Sequence, residues 1–138
     1  MTILRNFPLL VIPLIIYNLY AWGILPASEA IWSDVIADFN MISGEVFALT
    51  RGGALIAFAL AILFIEILKA TRTAQATIID HLLSTLVFVI YLVQLIIDGN
   101  AATTTFFLCT LIAFLDVVAG YSISIRVASR DVTFERGL

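Results

Sequence analysis

Charge is what this sequence lacks most. Only 12% of its 138 residues are Asp, Glu, Lys or Arg, whereas 62% are hydrophobic. A soluble domain carries about 25% charged residues, because water must wet its surface. Half that fraction leaves too little polar surface to cover a globule of this size. Lipid is therefore the expected solvent for much of the surface.

Cysteine and histidine are nearly missing as well. Cys109 is the single cysteine, so an intrachain disulfide is excluded, and cysteine usage carries no information about redox compartment. One cysteine and one histidine, His81, make no zinc ligand set and no paired-histidine haem site within one chain. A lone His81 offers one axial ligand, or two across a dimer axis, and no other residue supports that use. No metal and no cofactor are expected. The formal net charge of −3 and the scattered basic residues argue against a nucleic-acid partner. A Walker or dinucleotide glycine pattern, GxSxG, HExxH and internal repeats are all absent. Nothing here points to an enzyme.

What the sequence does have is long apolar runs. Crossing the hydrocarbon core takes about 20 mostly apolar residues. Four stretches qualify, at about 7–25, 46–68, 78–97 and 105–125, separated by polar connectors. The expected fold is an all-α integral membrane protein, one domain over 1–138, with a tail at 126–138. Thr77-x-x-Asp80 reads as a capping box opening the third helix. Asp98-Gly99-Asn100 is a tight-turn sequence, and Thr103, Thr104 and Thr105 offer N-cap hydroxyls for the fourth helix. Pro8 suits a helix start, while Pro13 predicts a kink inside the first span. Arg5, the apolar run and Ser28-Glu29-Ala30 weakly resemble a cleavable signal peptide, but the length of the run favours a retained span.

Lysine and arginine bias sets the expected orientation. Arg5, Lys69, Arg72, Arg126, Arg130 and Arg136 fall on one side, and only Arg51 is near the other. Glu29, Asp34, Asp38, Glu45 and Asp98 fall opposite. Both chain ends are therefore expected to be cytoplasmic, in a plasma membrane of bacterial inner-membrane type. Trp22, Trp32, Tyr17 and Tyr20 fit an outer aromatic belt.

The first external segment, about 29–44, has helical periodicity. At 100° per residue, Ile31, Trp32, Val35, Ile36, Phe39, Ile42 and Val46 share an arc of about 140°. That pattern predicts an amphipathic helix lying in the outer interface and ending near Gly44. Ile31, Trp32, Val35, Phe39 and Ile42 then form a candidate surface for another membrane subunit. A connecting helix packed on its own bundle is the plainer reading.

Ionisable groups within a span are costly unless paired or watered, so each is a functional candidate. Asp116 is the foremost, near the middle of the fourth span on a face with Cys109, Ile112, Ala113 and Gly120. Ser84 and Thr85 lie at matching depth, and Tyr17 or Asn18 are one turn away. Asp116 either binds a proton or cation, or hydrogen-bonds across helices and fixes packing. Arg51, about one turn into the second helix, is expected to snorkel and pair with Asp34, Asp38 or Glu45. Glu66, Asp80 and His81 gather near the inner interface, where a neutralising cluster with Lys69 or a proton entry relay is expected. Tyr91 and Gln94 read as interhelical hydrogen-bonders. Gly53, Ala57 and Ala61, and Gly120, Ser124 and Ala128, make small-residue faces for close helix packing.

Two functional expectations follow. The first is a non-catalytic accessory, assembly or structural subunit of a larger membrane complex, whose partners are lipid and either other subunits or itself. The alternative is a small homo-oligomeric ion- or proton-coupled transporter or channel using Asp116.

Overall fold

In the computed structural model, which describes residues 7–71 and 74–137, four α-helices carry most of the described residues. They are α1 (Val11–Ala21), α2 (Arg51–Ala70), α3 (Ala74–Ile97) and α4 (Thr104–Arg136). Three segments are long and apolar enough to cross a membrane: Arg51–Ala70, Ile78–Ile97 and Thr104–Arg130. α1 is apolar but has only 11 residues, about 16 Å of helix. Pro13 is the third residue of α1, where its backbone nitrogen has no intrahelical acceptor to lose. The expected mid-helix kink is therefore replaced by a late helix start.

The segment expected as an interfacial helix is a β-hairpin. β1 (Val35–Asn40) pairs antiparallel with β2 (Val46–Thr50), setting Phe39 opposite Phe47 and Asn40 opposite Val46. Gly44, at φ 89°, turns the chain: its N–H donates to the Met41 carbonyl at 3.0 Å, and the Met41 N–H donates to the Glu45 carbonyl at 2.9 Å. A glycine in the left-handed region closing a three-residue loop suits a hairpin better than a helix end. Val35, Ile36, Phe39, Val46 and Phe47 are β-branched or aromatic, the side chains that pleated strands favour. The second helix consequently begins at Arg51 rather than 46, with the Thr50 hydroxyl capping the Gly53 N–H at 3.1 Å.

α3 begins at Ala74, ahead of the expected capping box, and α4 runs through most of the expected tail to Arg136. Arg5 and Arg72, and the side chains of Thr77 and Arg136, lie outside the described residues. The turn signals between α3 and α4 hold. The Asp98 carboxylate caps the Asn100 N–H at 2.9 Å, and the Thr103 hydroxyl caps the Phe106 N–H at 3.1 Å.

The core lies where α1, α2, α3 and α4 converge, around Leu14, Leu55, Ala59, Val87, Phe106 and Ile112. An aromatic series crosses it. Trp32, in a single 3-10 turn (Ile31–Ser33), stacks on Tyr17, which tilts against Phe106, which tilts against Tyr91. Close approach depends on Gly52: a Cβ there would sit 2.8 Å from the Trp32 carbonyl and against the Thr105 hydroxyl. The expected Gly53–Ala57–Ala61 face is not the packing face, since Ala57 and Ala61 are exposed. The buried stripe of α2 is Gly52, Leu55, Ala59, Ile62, Leu63 and Glu66, rotated from the expected one.

Candidate functional site

α2, α3 and α4 each bring polar side chains to one place, near the Lys69 end of the bundle. Glu66, Lys69, Asp80, His81, Ser84 and Asp116 line a cavity of about 10 Å³, closed on one side by Gly120. Glu66, His81, Ser84 and Asp116 are all buried. With a rise of 1.5 Å per residue, Asp116 lies about 18 Å and Glu66 about 22 Å along their helices from the hairpin end. The cluster is therefore set into the bundle rather than at its rim.

Glu66 is the best satisfied member. Its Oε2 lies 3.0 Å from the Lys69 ammonium, and its Oε1 accepts the Leu9 N–H. Lys69 also donates to the Phe7 carbonyl at 2.9 Å. The ion pair thereby ties the end of α2 to the residues just before α1, where the Tyr91 hydroxyl also donates to the Leu10 carbonyl at 3.0 Å. Buried polar backbone must find such partners.

His81 belongs to the α3–α4 contact. Its Nε2 pairs with the Ser124 hydroxyl, which in turn donates to the Gly120 carbonyl at 2.9 Å. The ring lies over Gly120, where a Cβ would come within 2.7 Å of it, and is tilted 38° against Tyr121. Of the expected Gly120–Ser124–Ala128 face, Gly120 and Ser124 make this contact and Ala128 is exposed. Asp80 is the least satisfied member. Its Oδ1 is buried yet meets no hydrogen-bond donor among the described residues.

The expectation that Glu66, Lys69, Asp80 and His81 gather is met, and Asp116 and Ser84 join them. Thr85 does not: its hydroxyl donates back to the His81 carbonyl at 2.6 Å. Tyr17 and Asn18 are also elsewhere. The Tyr17 hydroxyl donates to the Asn100 carbonyl at 2.8 Å and lies 2.7 Å from the Thr103 hydroxyl. Asn18 and Gln94 exchange amide hydrogen bonds, and Gln94 reaches Asp98 at 3.2 Å. These contacts lock α1 to the α3–α4 turn, at the hairpin end. Among the described residues no group of His, Cys, Asp and Glu is placed to hold a metal ion.

Arg51 is the first residue of α2 and makes no ion pair with Asp34, Asp38 or Glu45 among the described residues. Its guanidinium carbon sits 5.4 Å from the Tyr20 ring centroid, and its buried Nε has no hydrogen-bond partner there. Its backbone N–H donates to the Asp34 carbonyl at 2.8 Å, tying the hairpin's first strand to the start of α2.

The proposed partner surface divides in two. Ile31 is buried and Trp32 half-buried, so both anchor the segment on the bundle. Val35, Phe39 and Ile42 are exposed, together with Ile36, Met41, Val46 and Phe47. Ile42, at the hairpin tip, touches almost nothing. Beside the hairpin's base an open groove of about 650 Å³ runs between Tyr20, Trp32, Glu29 and Asn100, with Glu29 its one charged side chain. The hairpin was missed because seven apolar residues in sixteen fit a helical arc readily. The signals for it were Gly44 and the alternation Ala37, Phe39, Met41 against Asp38, Asn40.

Comparison of the chain with protein-family models, with curated proteins and with solved structures finds no match.

Proposed function

We propose that the chain is a non-catalytic accessory, assembly or structural subunit of a larger membrane complex, docking through its β1–β2 hairpin. The observation that supports this is the hairpin's surface. Val35, Ile36, Phe39, Met41, Ile42, Val46 and Phe47 expose apolar side chains on both faces and at the tip. Both strands also leave one edge of backbone groups unpaired, since the sheet has only two strands. A two-stranded hairpin is marginal by itself in water. This one is held at its base by Trp32 and by the Arg51–Asp34 backbone bond, so its free part is presented rather than loose.

In this reading the chain lies in a bacterial inner membrane with both ends cytoplasmic, following the basic residues Lys69, Arg126 and Arg130. The hairpin then stands on the outer side, against lipid headgroups and a neighbouring subunit. α1, too short to cross unaided, crosses with residues 7–10 and 22–25 completing its length. Affinity purification of the tagged chain in mild detergent tests the reading. Stoichiometric recovery of different, larger subunits supports it, with loss of recovery in Ile42→Lys and Phe39→Lys. A lone homo-oligomer, unchanged by either substitution, overturns it.

One observation favours a second reading, a small homo-oligomeric ion- or proton-coupled transporter or channel. It is the convergence of Asp116, Glu66, Asp80 and His81 on one buried cavity. Proteoliposomes holding the purified chain test it: flux that Asp116→Asn abolishes without loss of the oligomer supports transport, and absent flux removes it.

A further inference from the structure

Three carboxyl groups, Glu66, Asp80 and Asp116, share one cavity with a single ammonium, Lys69. Lys69 is already committed, at 3.0 Å, to Glu66. The other groups facing the cavity are neutral or dipolar. From α3 come His81 and Ser84, from α4 the backbone at Gly120, and from the chain before α1 the Leu9 N–H, which Glu66 takes. Among the described residues no cation remains for Asp80 and Asp116. A buried charge without a partner costs several kcal/mol, and a group so placed neutralises instead.

Two further observations bear on what the cavity can hold. Asp80 Oδ1 is buried without a donor among the described residues. Beside it lies an internal volume of about 10 Å³, enough for one water and little more. A metal is disfavoured, because no three of these residues are placed as ligands.

We propose that this cavity is a proton-binding site, in which Asp116 carries the proton opposite Ser84 and one enclosed water supplies the donor that Asp80 Oδ1 lacks. The proton comes from bulk water and lowers the negative charge of the cluster by one. Glu66 and Lys69 stay an ion pair that fixes the N-terminal turn, and His81, engaged with Ser124, stays outside the exchange. The site needs neither the docking reading nor transport. Missing flux removes transport alone and leaves the proton where it is.

Infrared difference spectroscopy of the full chain in detergent or lipid tests this by titrating the carbonyl stretch of a protonated carboxyl. The expected result is one such band at neutral pH, downshifted in heavy water. It is also downshifted when aspartate is labelled with heavy carbon at its carboxyl, and it is lost in Asp116→Asn. The labelling arm uses the unaltered chain, so it separates aspartate from glutamate even where Asp116→Asn does not fold, and Asp80→Asn, which should spare the band, then separates Asp116 from Asp80. Absence of the band overturns the proposal, as does a band that ignores aspartate labelling or one that Asp80→Asn removes and Asp116→Asn spares. A band that sodium chloride abolishes and choline chloride spares assigns the cavity to a small cation and overturns it too.

Discussion

Trp32 lies almost parallel to Tyr17, their ring centroids 4.4 Å apart and their planes within 6° of each other. Tyr20 meets the same indole edge-on, at 5.9 Å. One side chain outside the helices thus seats the base of the hairpin on α1. Trp32→Ala is expected to lower stability by about 1–3 kcal/mol, less than a fully buried Trp→Ala because Trp32 is half-buried. Trp32→Phe should recover part of that loss. Thermal unfolding in a single detergent measures both, and an unchanged midpoint in Trp32→Ala would show that the stack does not hold the hairpin.

The same contact leaves no room at Gly52. A Cβ there meets the Trp32 carbonyl at 2.8 Å, and backbone does not yield as a side-chain tip does. Gly52→Ala is expected to cost about 1–3 kcal/mol, as overpacking does in a tight interface. Gly99→Ala is the control, because a Cβ at Gly99 meets nothing within 4 Å. It should stay within about 0.5 kcal/mol of the parent, the range of ordinary surface substitutions. Equal effects from the two variants would contradict the packing described.

The contrast between Gly52 and Gly53 shows where sequence reading stopped. Hydropathy placed α2, α3 and α4 because length and apolar content alone decide such helices. It could not fix their rotation, so the face through Gly53 was expected and the face through Gly52 and Ala59 is buried. Glu66, Asp80, His81 and Asp116 are each legible one at a time from the cost of charge in an apolar run. That Asp116 would join Glu66 and His81, and that Tyr17 and Asn18 would not, depends on helix rotation and on where α1 begins. The Leu9 N–H that Glu66 accepts is a backbone group, invisible to any scan of side chains. The hairpin was lost to a numerical accident. A short segment rich in apolar residues satisfies a 3.6-residue period and a 2-residue period at once.

Glu66 and Lys69 lend themselves to a double-mutant cycle. Removing one partner of a buried pair costs roughly 3–5 kcal/mol, while replacing both with apolar residues is often neutral. Lys69 retains 16% exposure, so the cost of Glu66→Gln is expected at or below the lower end of that range. Lys69→Met alone leaves Glu66 with only the Leu9 N–H and should cost a similar amount. The double variant should be less destabilised than the sum of the singles, with a coupling of about 1–3 kcal/mol. Additive losses in the unfolding midpoints would mean that the two side chains act separately.

Asp98 supplies a pH dependence at the opposite end. The Asn100 N–H that its carboxylate accepts, helped by Gln94 and opposed by slight burial, holds its pKa below the usual carboxylate value. A depressed folded-state pKa contributes stability above the unfolded value, about 3.9 for aspartate. That contribution is lost as pH falls through the lower folded-state value. Asn caps a helical turn about as well as Asp, so Asp98→Asn should change little at neutral pH. Below about pH 4 the parent should lose what this carboxylate contributes while the variant, whose amide does not titrate, keeps its cap, so the two unfolding curves should separate there with the parent falling faster. Acid titration followed by tryptophan fluorescence checks this, since Trp22 belongs to the same end of the bundle. A variant that tracks the parent at a constant offset over the whole range would show that the Asp98 cap contributes no pH-dependent stability.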